Sequence, residues 1–214
     1  MNFEKYKQIF HEFADDVEFI DENIKKLELN KDCKILDIGT GIGAMSTLLA
    51  LNGFSVITGE PEVDPETESL NHHNHHNETH DGHQCEQHKE HNWGNWNDWR
   101  DSAKKLGVEG KIKYQYFDAQ DLPFEGSSFD GIFLYDSLQH IPNRVLALNE
   151  CLRVLNDNGV IVVIEWSKKQ IEREYKTYGY KIEFIDPQDY LKQKDISTEV
   201  LKGEIINFYI LRKN

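Results

Sequence analysis

The 214-residue chain has little cysteine, little positive charge and no long apolar run. Its three cysteines, Cys33, Cys85 and Cys151, are odd in number and widely spaced. They offer no disulfide framework and fit a reducing, cytoplasmic compartment. No apolar stretch nears the roughly 20 residues of a membrane span, so no membrane partner is expected. The charged, amphipathic start MNFEKYKQIF does not read as a secretory signal. Lys and Arg number 24 against 38 Asp and Glu, a net charge of -14. Such a chain repels phosphate backbones, which argues against nucleic acid as a partner. The length fits one domain over residues 1–214, and 38% hydrophobic residues suffice for a sizeable core.

Histidine is what the chain has in excess. Eight of its ten histidines fall between His72 and His91. From Glu60 to Arg100 there are ten acids and only two bases, so this window carries -8 and the remainder an ordinary -6. Residues 61–96 contain few aliphatics and cannot build a core of their own. They read as an insertion within a domain.

On either side, strand and helix patterns alternate. Short apolar runs at Lys34–Ile38, Phe54–Thr58, Lys111–Phe117, Asp130–Tyr135 and Val160–Trp166 read as strands. Helical patterns cover Ala44–Leu51, Trp99–Leu106 and Arg144–Leu155, with Asn52-Gly53 and Asn158-Gly159 as stops. Phe3–Leu29 reads as one or two amphipathic helices, and Gln188–Gln193 as another. Strand candidates at Ile196–Leu201 and Ile205–Leu211 suggest an antiparallel edge hairpin. Continuous apolar strands separated by helices predict an α/β fold around a buried parallel sheet.

The first strand runs into Gly39-Thr40-Gly41-Ile42-Gly43. Glycines at a strand-to-helix turn let the backbone approach a ligand at the helix N-terminus. The spacing also fits a dinucleotide loop, a weak signal alone. Asp37, two residues before Gly39, is expected to face the crevice, where a carboxylate beside a pyrophosphate is costly and one beside a cation is favourable. Glu60, about 20 residues further on, suits the two hydroxyls of a ribose. NAD and S-adenosylmethionine both carry one.

The runs LDIGTGIG, FDAQDLPFEGSSFDGIFLYDSLQHI and ECLRVLNDNGVIVVIEW resemble the class I S-adenosylmethionine-dependent methyltransferases, in particular the small-molecule branch that includes ubiquinone/menaquinone C-methyltransferases. The resemblance covers roughly residues 34–60 and 99–166. It implies a Rossmann-like seven-stranded sheet with helices on both faces, S-adenosyl-L-methionine as cofactor and a small-molecule methyl acceptor. By it, Asp37, Gly39, Thr40, Gly41 and Gly43 hold the methionine end and cofactor backbone, and Glu60 the ribose. Asp118 and Ala119 hold adenine, and Tyr135 or Asp136 lines the methyl-transfer centre. His140 is a candidate general base; the plainer alternative is a loop histidine bonded to backbone. Asp136 orients either an acceptor or a backbone amide. Arg153 reads as an ion-pair partner in its helix, and Glu165 as an end-of-strand acid with little claim to substrate. Members of the family usually pass directly from the second strand into a helix. Here the insertion intervenes and emerges beside the ribose.

Imidazole is a common ligand for zinc, nickel, cobalt and copper. His72, His76 and His80 share one helical face at i, i+4, i+8, and His83, Cys85, His88 and His91 offer a tetrahedral set with no standard finger spacing. The bland reading is a solvated low-complexity loop with incidental metal affinity. Two other function classes stay open: a metal-binding or metal-sensing protein on a methyltransferase scaffold, and an NAD-dependent oxidoreductase. Trp93, Trp96 and Trp99 follow at i, i+3, i+6, as an anchoring stripe or an aromatic wall for a sulfonium methyl. Oligomeric state and acceptor are not legible.

Overall fold

The computed structural model describes residues 3–62, 98–179, 181–193 and 195–214. Five strands run parallel: β1 (Lys34–Ile38), β2 (Ser55–Gly59), β3 (Ile112–Tyr114), β4 (Phe129–Tyr135) and β5 (Leu155–Trp166). β6 (Ile196–Lys202) and β7 (Ile206–Lys213) form an antiparallel hairpin, and β7 pairs antiparallel with β5. The sheet order is β3-β2-β1-β4-β5-β7-β6, the expected seven strands with the hairpin at one edge. Strands fan out in opposite directions from the β1/β4 junction. In open α/β sheets a ligand crevice lies outside the carboxyl ends of the strands at such a switch point.

Six α-helices are described: α1 (Glu4–Phe10), α2 (Val17–Lys26), α3 (Ala44–Leu51), α4 (Trp99–Lys105), α5 (Arg144–Val154) and α6 (Lys168–Tyr178). Strand residues alternate between two cores, as the pleat requires. Ile35, Phe133, Val160 and Val162 pack with Tyr6, Phe10, Ile20 and Leu48 of α1–α3 on one face. Leu36, Ile132, Leu134, Ile161 and Val163 pack with Leu148 and Leu152 of α5 on the other. Both faces are thus covered, which explains why β4 and β5 read as continuous apolar runs.

Three expectations about the elements are corrected, and one helix is added. The strand expected over Lys111–Phe117 is regular only over Ile112–Tyr114. A 3₁₀ turn occupies Glu109–Lys111, and the Gln115 and Phe117 amides donate irregularly to Thr58 and Glu60 carbonyls. The helix expected over Gln188–Gln193 is a 3₁₀ turn, Pro187–Tyr190, capped by the Asp186 carboxylate on the Gln188 amide. Asn158-Gly159 is not a helix stop: α5 ends at Val154 and both residues lie inside β5. Helix α6 was not anticipated; it buries no residue, and its Ile171, Tyr175 and Tyr178 stripe stays half-buried or exposed. The insertion, including His72, His76, His80, His83, Cys85, His88, His91, Trp93 and Trp96, lies outside the described residues apart from its first two, Pro61 and Glu62.

Candidate cofactor and acceptor site

A cavity of about 590 Å³ opens at the carboxyl ends of β1, β2 and β4. Gly39, Thr40, Gly41 and Glu60 line one side, Asp118 and Ala119 a second, and Tyr135, Asp136 and His140 a third. Nine of the residues singled out from sequence therefore converge on one space. Asp37 and Gly43 do not line it: both are buried behind the loop.

The loop geometry depends on glycine. Gly39 has φ +88°, and a Cβ there would lie 2.7 Å from Ser137 Cβ. Gly41 has φ +47°, and a Cβ there would meet nothing within 4 Å, because that face is open. The Gly41 amide donates to Glu60 Oε2 at 3.3 Å. An acid thus already takes an amide that a loop-bound phosphate would need, which disfavours a pyrophosphate ligand.

Asp37 was expected to face the crevice and instead is 1% exposed. Strand alternation turns it to the face of Ile35, beneath α1 and α3. The Thr58 hydroxyl donates to Asp37 Oδ2 at 2.8 Å, and the Thr40 and Thr58 hydroxyls lie 2.9 Å apart. Since Thr58 gives its only proton to Asp37, Thr40 donates to Thr58. Asp37 Oδ1 is buried without a hydrogen-bond partner among the described residues. Burial pushes this carboxyl up to about 7; the Thr58 bond opposes the shift and Glu60 adds to it.

At the end lined by Asp118 and Ala119, Asp118 Oδ1 accepts from the Gln120 amide at 2.8 Å and from Gln120 Nε2 at 3.1 Å. This turn holds the carboxylate at the cavity edge. Trp99, 8% exposed, stacks on Tyr114 at 5.9 Å with Arg100 over both rings, so it anchors α4.

At the other end, Tyr135 donates its hydroxyl to the Phe13 carbonyl at 3.0 Å, tying the N-terminal segment over the cavity. Burial and neighbouring acids raise Tyr135 far above its ordinary value. Asp136 adopts φ +51°, an uncommon backbone for a residue other than glycine, and Gln139 Nε2 donates to its Oδ1. Burial pushes Asp136 up to about 6. Partial burial and the Arg144 charge lower His140, which keeps the imidazole neutral at pH 7. Glu165 is 2% exposed and accepts from the Leu138 amide at 2.8 Å. Burial, then Asp136, pushes it up to about 8. Arg153 pairs with Glu150 at 2.6 Å and donates to the Leu122 and Phe124 carbonyls, the structural role expected of it.

Sequence reasoning missed Phe13, Met45, Ser137, Ile141 and Pro142, which also line the cavity. They are ordinary apolar or small residues, and no spacing marked them. Among the described residues no group of three His, Cys, Asp or Glu side chains could hold a metal.

Residues 95–163 match the family model described as a methyltransferase domain. A sterol 24-C-methyltransferase from Candida albicans is 24% identical over 83% of this chain and 41% of its own length. A ubiquinone/menaquinone biosynthesis C-methyltransferase UbiE from Saccharophagus degradans is 37% identical over 36% of this chain and 32% of its own. The chain thus spans well under half the length of these curated relatives. In structure it resembles a SAM-dependent methyltransferase from Aquifex aeolicus, with TM-score 0.57, 14% identity and coverage of 99% and 98% of the two chains. MccD gives TM-score 0.57 at 18% identity, over 92% and 96%. The chain thus shares the fold of these structures, and about a third of it matches the methyltransferase-domain model.

Proposed function

We propose that the protein is an S-adenosylmethionine-dependent methyltransferase acting on a small molecule. The open face of Gly41, in a cavity flanked by Glu60 and Asp118, carries this reading. The donor set fits the cofactor: carboxylates for hydroxyls and an amine, and no lysine or arginine for phosphate among the described lining residues. Glu60 would accept the ribose hydroxyls, Asp118 the adenine amine, and the Ala119 amide would donate to the ring. The loop from Gly39 to Gly43 and the start of α3 would hold the methionine end, with Asp37 and its threonine relay beneath.

Bound S-adenosylmethionine supplies an already activated sulfonium methyl. Positioning could then provide much of the acceleration, up to about 7–11 kcal/mol. Tyr135 and Asp136 shape the acceptor's approach. Neutral His140 can take a proton from an acceptor that must lose one. The named activities of the relatives, on sterol and on ubiquinone/menaquinone precursors, support a small, apolar acceptor and the UbiE-like branch. A cytoplasmic location fits the scarcity of cysteine.

Calorimetry on the full chain tests the proposal. S-adenosylmethionine and S-adenosylhomocysteine are expected to bind in the micromolar range, and Glu60→Ala to weaken both by about tenfold, the value of one charge-assisted hydrogen bond. Absence of binding, or tighter binding of NADH, refutes it. The histidine-rich segment supports a second reading on sequence alone, a zinc, nickel or cobalt chelating tract. Elemental analysis of untagged protein that finds no metal removes it.

A further inference from the structure

The methyl-transfer end of the cavity combines apolar walls with a single sign of charge. Phe13, Tyr135, Ile141 and Pro142 supply the walls. The acidic side chains that line the cavity are Glu60, Asp118 and Asp136, and the described lining residues include no lysine or arginine. The residues outside the described ones include two lysines, Lys89 and Lys194.

Arg144 stands close enough to lower His140, but its donors are spent. Its Nε donates to the Leu138 carbonyl at 3.2 Å. One terminal nitrogen donates to Glu183 at 3.1 Å and to Tyr190 at 3.0 Å. The other donates to the Gln139 carbonyl at 3.0 Å and to Glu183 at 2.8 Å. All five N–H groups of the guanidinium are therefore committed, and none remains for an incoming anion.

Asp136 is held in place by its own backbone. Its amide donates to the Ile164 carbonyl at 2.9 Å, and Gln139 fixes the carboxylate. A like charge brought into this partly desolvated end meets weakly screened repulsion.

We infer that the acceptor enters this end uncharged or as a cation, and that Asp136 excludes acceptors carrying a carboxylate, sulfate or phosphate beside the reacting group. The inference rests on the methyltransferase reading and narrows its substrate class. The pKa of about 6 leaves Asp136 ionised at neutral pH.

The test uses the full chain saturated with S-adenosylhomocysteine and four ring probes followed by calorimetry at pH 7.5: phenol, tyramine, 4-hydroxybenzoate and phenyl phosphate. Phenol and tyramine are expected to bind at least about tenfold more tightly than the two anions, the scale of one like-charge contact in a semi-buried site. Asp136→Asn keeps a residue that tolerates positive φ and removes the charge. It is expected to narrow the gap to below about threefold by strengthening anion binding. Anions that bind as tightly as phenol, failure of both phenol and tyramine to bind, or a gap unmoved in the variant would each overturn the inference. The ranking on the unmutated chain stands whether or not the variant folds. Failure of S-adenosylhomocysteine itself to bind would be a different result, and would remove the methyltransferase reading.

Discussion

Glu165 Oε1 accepts the Leu138 amide at 2.8 Å, and through this bond the end of β5 fixes the turn that carries Asp136 and His140. Leu138 is fully buried, so its amide has no water to turn to. Glu165→Ala is expected to lower stability by about 1–3 kcal/mol, the cost of an unsatisfied buried amide. Glu165→Gln keeps an acceptor oxygen and should recover most of the loss. Urea unfolding of the three chains measures this; equal losses in both variants would show that this hydrogen bond is not what holds the turn.

The two outer glycines of the Gly39-Thr40-Gly41 turn differ in what they protect. An alanine Cβ at Gly39 would press against Ser137, whose hydroxyl donates to the Ile38 carbonyl at 2.8 Å. Gly39→Ala should therefore cost stability, by about 1–3 kcal/mol for overpacking and strained φ. At Gly41 the added methyl enters open cavity. Gly41→Ala should cost about 1 kcal/mol of backbone strain and weaken S-adenosylmethionine more than Gly39→Ala does per unit of stability lost. Denaturation and calorimetry on the pair separate the effects, and a reversed pattern would mean the ligand lies elsewhere.

The parallel sheet was legible because its central strands are buried on both faces and carry unbroken apolar runs. Gly39, Gly41 and Glu60 were legible because a turn at a strand end leaves few residue types able to serve. Asp37 was misplaced, although the signal existed: two residues from Ile35, it shares that residue's face, beneath the helices. Helix α6 was missed because an exposed helix has no buried stripe, and its eleven residues are mostly charged or polar. Ser137 and Phe13 reach the cavity only through tertiary folding, which brings a loop after β4 and a segment before β1 together.

Tyr135 and Phe13 lie 122 residues apart in sequence and are joined by one hydrogen bond at 3.0 Å and an edge-on ring contact at 6.5 Å. Tyr135→Phe keeps the ring and leaves the Phe13 carbonyl without this donor. The expected loss is about 0.5–1.5 kcal/mol, localised at the N-terminal segment. Hydrogen exchange should quicken around residues 11–17 and stay unchanged in β4 and β5. Uniform quickening across the sheet would show that the bond serves the core and not the cavity's cover.

Three buried carboxyls give the fold an unusual dependence on pH. Asp37 is raised to about 7, Asp136 to about 6 and Glu165 to about 8, each chiefly by burial. All three lie above their unfolded values, so between about pH 4.5 and 8 the folded chain holds more protons than the unfolded one. Stability then falls as pH rises, by up to about 1.4 kcal/mol per pH unit for each group still within its window. His140, lowered in the fold, works the other way, but only below about pH 6.5. Glu150, lowered chiefly by its bond to Arg153, also opposes the trend, but only in acid near its own ordinary range. From about pH 6.5 to 8, therefore, Asp37 and Glu165 act unopposed by these groups, and the urea midpoint should drop steadily. Asp37→Asn keeps an oxygen for the Thr58 hydroxyl and removes the titration that ends near pH 7, so its slope over that interval should be roughly two thirds of the parent's. A parent midpoint that stays level or rises with pH would mean that these carboxyls are ionised without cost, and that water or a bound cation reaches them.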